Sequence, residues 1–202
     1  MKTKITPEWI AVDWGTSNLR AYAMEGATSL AQVQSADGMS RLTPEQFETT
    51  LDQLTASWQA GPVPVVACGM VGARQGWAEA PYQPVPCAPL AHRLTRAPAA
   101  HDRPVFIIPG LSQNRPADVM RGEETQIAGF LSLNPGWDGV LCLPGTHTKW
   151  AHLSAGEVVS FQTFMTGELF DLLSHASVLR HSIGGDDWDE AAFDAALSET
   201  LS

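Results

Sequence analysis

The chain has 202 residues, 44% hydrophobic and 17% charged, the make-up of a folded, soluble protein with room for one domain or two small ones. Its formal net charge of −10 argues against nucleic acid and against an anionic membrane surface as partners. No apolar run reaches the roughly 20 residues that span a bilayer. Cys68, Cys87 and Cys142 stand apart with no CxxC pair, so reduced thiols in a cytoplasmic setting are expected and a zinc site is not.

In chain order, residues 1–8 read as a loose leader. Trp9 to Met24 (WIAVDWGTSNLRAYAM) then reads as a tight β-hairpin, with Asp13 at the end of its first strand. Its turn, Gly15-Thr16-Ser17-Asn18, gathers backbone N–H groups and two hydroxyls into one small volume. Such a nest suits anionic oxygens, and a carboxylate beside it suits a phosphate-bound magnesium ion. An ordinary hairpin with a polar turn would read the same way. Ser29 to Ala36 follows as a third strand.

Thr43-Pro44-Glu45-Gln46 is a helix start: a threonine cap, proline at the first helical position and glutamine closing a capping box. Phe47, Leu51, Leu54 and Trp58 recur at helical spacing, and Gly61-Pro62 is the expected stop. Val63 to Ala67 reads as a buried parallel strand, delivering Cys68 to Trp77 (CGMVGARQGW) at its carboxyl end, where open α/β sheets bind ligands. Glycines there allow a substrate close to the backbone, and Arg74 offers a fork for a carboxylate. A flexible connection with a surface arginine is the plain alternative.

Pro81 to Pro104 reads as an irregular loop without regular elements, and Val105 to Ile108 as a short strand. Glu123 and Glu124 then open a helix whose apolar face is Ile127, Phe130 and Leu131. Acids in a first turn are favoured by the helix dipole. Asn134-Pro135-Gly136 marks a boundary.

Val140 to Leu153 (VLCLPGTHTKWAHL) repeats the opening hairpin around Gly145-Thr146, and Glu157 to Phe161 supplies its third strand. Two such units suggest a duplicated domain with one phosphate loop per half. Leu143 and Pro144 stand where Asp13 and Trp14 do, so only the first loop carries the acid. His147 and Lys149 flank the second turn, Lys149 as a phosphate contact and His147 as a contact or a hydrogen-bonding support of the loop. A helix from Gly167 to Arg180 is expected to pack through Leu169, Leu172, Leu173 and Ala176. The acidic stretch from Asp186 to Leu201 is expected to bury Trp188, Ala191 and Phe193. Gly184-Gly185 follows no strand.

The segments DWGTSNLRA, CGMVGARQGW, APY, IIPGL, VMRGEETQ, LPGTHTKW and FMTGEL, in order from residue 9 to about 170, resemble the 2-dehydro-3-deoxygalactonokinase family. That family lies within the sugar-kinase, Hsp70 and actin superfamily. The resemblance implies an α/β, ribonuclease-H-like duplicated fold with a complete first lobe over 1–135 and an incomplete second lobe over 136–202. No adenosine motif follows residue 170, so the sequence looks like roughly the first two thirds of a kinase.

The implied reaction moves a phosphoryl group from MgATP to the 6-hydroxyl of 2-dehydro-3-deoxy-D-galactonate. By the same resemblance, Asp13, Gly15, Thr16, Ser17, Asn18, Gly145, Thr146, His147 and Lys149 hold the phosphates, with Asp13 on magnesium directly or through water. Glu123 is the first choice for the base, in place of the more usual aspartate, and Glu124 the second. Gly69, Met70, Arg74 and Arg121 face the sugar acid. A homo-oligomer is one expected assembly. A non-catalytic sugar-acid-binding or dimerisation module is the alternative reading.

Overall fold

The computed structural model describes residues 5–58, 61–90, 92–99, 103–183 and 188–200. The opening hairpin forms as its alternation dictates. β1 (Trp9–Trp14) pairs antiparallel with β2 (Leu19–Glu25), and β3 (Thr28–Ser35) adds to β2. Residues Ile10, Val12 and Trp14 point one way and are fully or almost fully buried, together with Leu19, Ala21 and Ala23 across the pair. The expected leader is engaged where it is described. Ile5 packs against this core, and the Glu8 N–H bonds the Met24 carbonyl at 2.8 Å.

Residues Pro44–Gln46 make a single 3₁₀ turn that runs into α1 (Phe47–Leu54), and the Thr43/Gln46 capping box is present. Phe47 and Leu51 pack on the sheet, Phe47 edge-on to Trp14 with ring centroids 4.9 Å apart. The helix ends at Leu54, well before Gly61. Thr55 turns its hydroxyl back to the Leu51 carbonyl, and a further turn carries Trp58 into the core.

β4 (Val65–Gly69) runs parallel to β1. The stretch from Pro81 to Pro104 is less irregular than its prolines suggest, since it carries β5 (Gln83–Pro84) and β6 (Thr95–Arg96). These two-residue strands are too short for periodicity to reveal. β7 (Val105–Ile107) pairs parallel with β4, completing a sheet in the order β3-β2-β1-β4-β7-β6. Three antiparallel strands followed by parallel β4 and β7 on the β1 side, with the two-residue β6 antiparallel at the edge, is the ribonuclease-H-like arrangement.

A hairpin absent from the sequence reading comes next, β8 (Leu111–Asn114) and β9 (Ala117–Met120), which forms a small sheet with β5. α2 (Glu123–Leu133) follows it. β10 (Gly139–Leu143), β11 (Thr148–Ser154) and β12 (Glu157–Phe164) then repeat the antiparallel trio. Ala151, at the place of Ala21, is likewise fully buried. Two hydrophobic cores result. One joins residues of β1 to β4 and β7 with α1. The other joins Cys87, Leu111, Met120 and Ile127 to Ala151, Leu153, Val158 and Phe161.

Beyond β12 the expectations fail in packing rather than in helicity. The helix expected over Gly167 to Arg180 divides into α3 (Thr166–Asp171), a wider π turn over Leu172–Ala176 and a 3₁₀ turn over Val178–His181. Leu169, Leu172 and Leu173 are 40–52% exposed, and Ala176 is exposed too. α4 (Glu190–Thr200) leaves Trp188, Ala191 and Phe193 exposed instead of buried. The apolar spacing is real, but these side chains join neither core, and Trp188 packs only on the Phe193 ring, 5.0 Å between centroids, among the described aromatic contacts. Gly184-Gly185, Asp186 and Leu201 lie outside the described residues. Among the described residues no helix is long and apolar enough to cross a membrane.

Candidate active site

A cleft of about 270 Å³ opens between the two hairpin turns. Its walls are Asp13, Gly15 and Thr16 from the first turn, Leu143 to His147 from the second, Gly69 and Met70 from the end of β4, and Arg121, Gly122, Glu123 and Gln126 around the start of α2. Parallel β1 and β4 put Asp13 and Gly69 at neighbouring strand ends, and the repeat of the hairpin supplies the facing turn.

Both turns are braced from outside the cleft. In the first, Gly15 N–H bonds the Asn18 carbonyl at 2.9 Å. The Gly15 and Thr16 carbonyls accept from the Met39 and Ser40 N–H groups at 3.0 and 3.1 Å. Ser17 and Asn18 complete this turn outside the cleft lining. In the second, the Thr146 carbonyl accepts the Glu168 N–H at 2.9 Å, His147 Nε2 meets the Glu168 carboxylate at 2.5 Å, and the Thr148 and Thr166 hydroxyls are bonded to each other. This is where the FMTGEL segment goes: it buttresses the second turn.

The floor is a stack of backbones. Gly69 has φ +92°, and a Cβ there would lie 2.6 Å from the Trp14 carbonyl oxygen. Gly122, with φ +111°, rests against Gly69, and an added Cβ would be 3.4 Å from the Gly69 Cα. The two carboxylates that follow fold back over this junction. Glu123 Oε2 accepts the Arg121 N–H at 3.0 Å and Glu124 Oε2 the Gly122 N–H at 2.6 Å, while Glu124 Oε1 accepts the Thr125 hydroxyl at 3.1 Å.

The pair differ in exposure. Glu123 lines the cleft. Glu124 is fully buried behind it, and burial raises its pKa to about 7 against the pull of its hydrogen bonds. Cys68 lies close to the same carboxyl. Burial first, then the charges of Asp13 and Glu124, push its thiol up to about 12, which leaves it unreactive.

Asp13 reaches the cleft and also pairs with Arg20, its cross-strand partner, at 3.0 Å. Both side chains are about two-fifths exposed, so the pair is a weak one that another ligand can replace. Among the described residues no cluster of three or more His, Cys, Asp or Glu side chains could hold a metal ion. Asp13 lines the cleft beside the first turn, where a carboxylate could meet a divalent ion directly or through water.

Two expected site residues are elsewhere. Lys149 is buried in the second core. Its Nζ donates to the Val119 carbonyl at 2.6 Å and the Thr163 hydroxyl at 2.5 Å, with Asp118 at 3.7 Å. Lys149 stands where Leu19 does in the first hairpin, an inward-facing position of the second strand, and both side chains are buried there. Arg74 is exposed at the tip of its loop, outside the cleft lining, because Gly76 folds tightly onto Val71 and throws residues 74 and 75 outward. Gln126 was missed as a cleft residue, although its i+3 spacing from Glu123 puts it on the same helical face.

A ribonuclease-H-like sheet, a second copy of its hairpin unit and two Gly-Thr turns facing one cleft define the architecture of the sugar-kinase, Hsp70 and actin superfamily. Within it, the family model described as 2-keto-3-deoxy-galactonokinase matches residues 13–202, and the chain belongs to that family. A Rhizobium meliloti (strain 1021) protein described as a probable 2-dehydro-3-deoxygalactonokinase is 43% identical over 201 residues. The match covers 95% of this chain and 65% of that protein. The 2-dehydro-3-deoxygalactonokinase of Escherichia coli (strain K12) is 37% identical, with 98% of this chain and 67% of that protein covered. A crystal structure of a candidate 2-dehydro-3-deoxygalactonokinase from Sinorhizobium meliloti superposes with a TM-score of 0.87 at 42% identity, covering 95% of this chain and 66% of that one. The chain thus spans about two thirds of the length of the relatives it matches.

Proposed function

We propose that the cleft is a phosphoryl-transfer site, moving the γ-phosphoryl group of ATP to the 6-hydroxyl of 2-dehydro-3-deoxy-D-galactonate. The observation that carries this reading is the meeting of both Gly-Thr turns and the Glu123 carboxylate on one cleft. Phosphoryl transfer asks a protein mostly for positioning and charge stabilisation. The turn at Gly15-Thr16 and the turn at Gly145-Thr146 hold phosphate oxygens from opposite sides. Glu123 accepts the hydroxyl proton as that oxygen attacks phosphorus and the bond to the departing ADP oxygen breaks. Asp13, with water, holds magnesium, whose charge offsets that of the phosphates. Glu124 is too deeply buried for the base, and of the two glutamates only Glu123 lines the cleft.

The test is the glutamate at the Glu123 position in a relative of full family length. Glu123→Gln is expected to lower kcat by about 10²–10⁴ while sparing sugar-acid affinity. Equal kcat in the variant, or the loss appearing with Glu124→Gln alone, overturns the assignment.

A second reading, a sugar-acid-binding or association module, draws support from the apolar side chains exposed between Phe164 and Leu197. Calorimetric titration separates the two: the module takes up the sugar acid and not MgATP.

A further inference from the structure

Arg121 carries an unanswered charge. The residue is 9% exposed, and its guanidinium lies over the Tyr82 ring, 4.3 Å from the centroid. Nη2 donates to the Ala80 carbonyl at 2.8 Å, while Nε and Nη1 are buried with no hydrogen-bond partner. The neighbouring acids are committed elsewhere. Glu123 accepts the backbone N–H of Arg121 itself, and Glu124 accepts from Gly122 and Thr125. Among the described residues Arg121 takes part in no ion pair.

Removing a guanidinium from water without a counter-charge is costly, and the group cannot relieve the cost by losing its proton. Yet the surrounding segments are shaped to hold it there. Gly72 leaves the space, since a Cβ at that position would sit 2.7 Å from Nη1. Ala80 provides the single bond and Tyr82 the aromatic face. Three of the segments that mark the family, CGMVGARQGW, APY and VMRGEETQ, therefore converge on one side chain. Arg121 is among the residues that line the cleft, beside Gly122 and Glu123.

We propose that Arg121 is the receptor for the carboxylate of the acceptor substrate and sets the preference of the cleft for sugar acids over neutral sugars. The inference rests on the sugar-acid reading above and goes further in choosing between two arginines. Arg74, exposed and outside the cleft, would offer a carboxylate only a solvated, screened contact. Arg121 offers donors already stripped of water and held by packing, so the loss of hydration is borne in folding and not in binding. A neutral ligand at the same place leaves the cation unanswered, which makes the discrimination steep.

Two measurements on the 202-residue chain test this, with 2-dehydro-3-deoxygalactonate and its C1 amide as probes. In the first, the wild-type protein with ¹⁵N-labelled arginine is titrated with each probe, following the Arg121 Nε–H resonance. The acid is expected to shift it and the amide to leave it in place. In the second, calorimetry compares wild type with Arg121→Met. The wild type is expected to bind the acid at least about 30-fold more tightly than the amide, and the variant is expected to lose that preference. If Arg121→Met does not fold, the first measurement stands alone, because it needs no variant. An acid that binds with the Nε–H resonance unmoved, or a variant that keeps the preference, overturns the role of Arg121 and leaves the sugar-acid reading in place. Failure of the acid to bind the wild type at millimolar concentration overturns both.

Discussion

Glu123 and Glu124 are adjacent in sequence and opposite in environment. A helix turns by about 100° per residue, so one carboxylate faces the cleft and its neighbour the interior. Sequence could place both in a first helical turn but had no means of saying which side would be wet. The same limit applies to Lys149, which the sequence sets beside a phosphate turn and which the strand, at the place of Leu19, turns inward.

The buried state of Glu124 has a consequence for stability. Its folded pKa is raised from 4.5 to about 7. Between those values the folded protein holds a proton that the unfolded chain has released. Stability from this group is therefore full below about pH 4.5 and is lost as pH rises through about 7. At about 1.4 kcal/mol per unit the change is at most on the order of 3 kcal/mol. Glu124→Gln is expected to flatten the slope of unfolding free energy against pH in that window, as read by urea titration at several pH values. An unchanged slope would mean that another group carries it.

Asp13 is the acid that only the first turn possesses. In a relative of full family length, Asp13→Asn is expected to weaken apparent magnesium affinity by about 10- to 100-fold, with unaltered thermal stability. Coincident magnesium titration curves would remove Asp13 from that role.

At the scale of elements, the legible parts were those whose signals are local. The opening hairpin shows its alternation, the Thr43 to Gln46 segment its capping box, and the second hairpin its likeness to the first. The β8–β9 hairpin escaped notice because Arg115-Pro116 in its turn and the polar Ser112, Gln113 and Asp118 in its strands mask the alternation. Its buried Gln113 is satisfied by long-range bonds to Phe161, which no short window of sequence contains. The cleft residues Gly69, Arg121 and Glu123 come from segments more than 50 positions apart, and the family resemblance was what joined them.

The capping box can be tested directly. Thr43→Ala is expected to cost about 1 kcal/mol, lowering Tm by roughly 2–4 °C for a chain of this size. No shift in a thermal melt would show that packing of Phe47 and Leu51 alone sets the start of α1.

At the scale of the whole molecule, the chain is uneven. Its two cores are closed up to Phe161, whereas Phe170, Val178 and Trp188 are 70–80% exposed. Exposed apolar side chains in this number favour association, opposed here by a net charge of −10. Light scattering is expected to show concentration-dependent self-association that strengthens with salt and weakens in a Phe170→Ser, Trp188→Ser double variant. A monomer at every concentration and salt level would contradict this.

On the proposed function, nucleotide phosphates and sugar acid meet in the cleft between the two Gly-Thr turns. Backbone amide spectra of the ¹⁵N-labelled chain, titrated with MgATP and with 2-dehydro-3-deoxygalactonate, test it most directly. MgATP is expected to shift the amides of Gly15, Thr16, Gly145 and Thr146, and the acid those of Gly69, Met70, Gly122 and Glu123. Shifts confined to another surface, such as the groove lined by Glu48, Trp58 and Arg103, would contradict it.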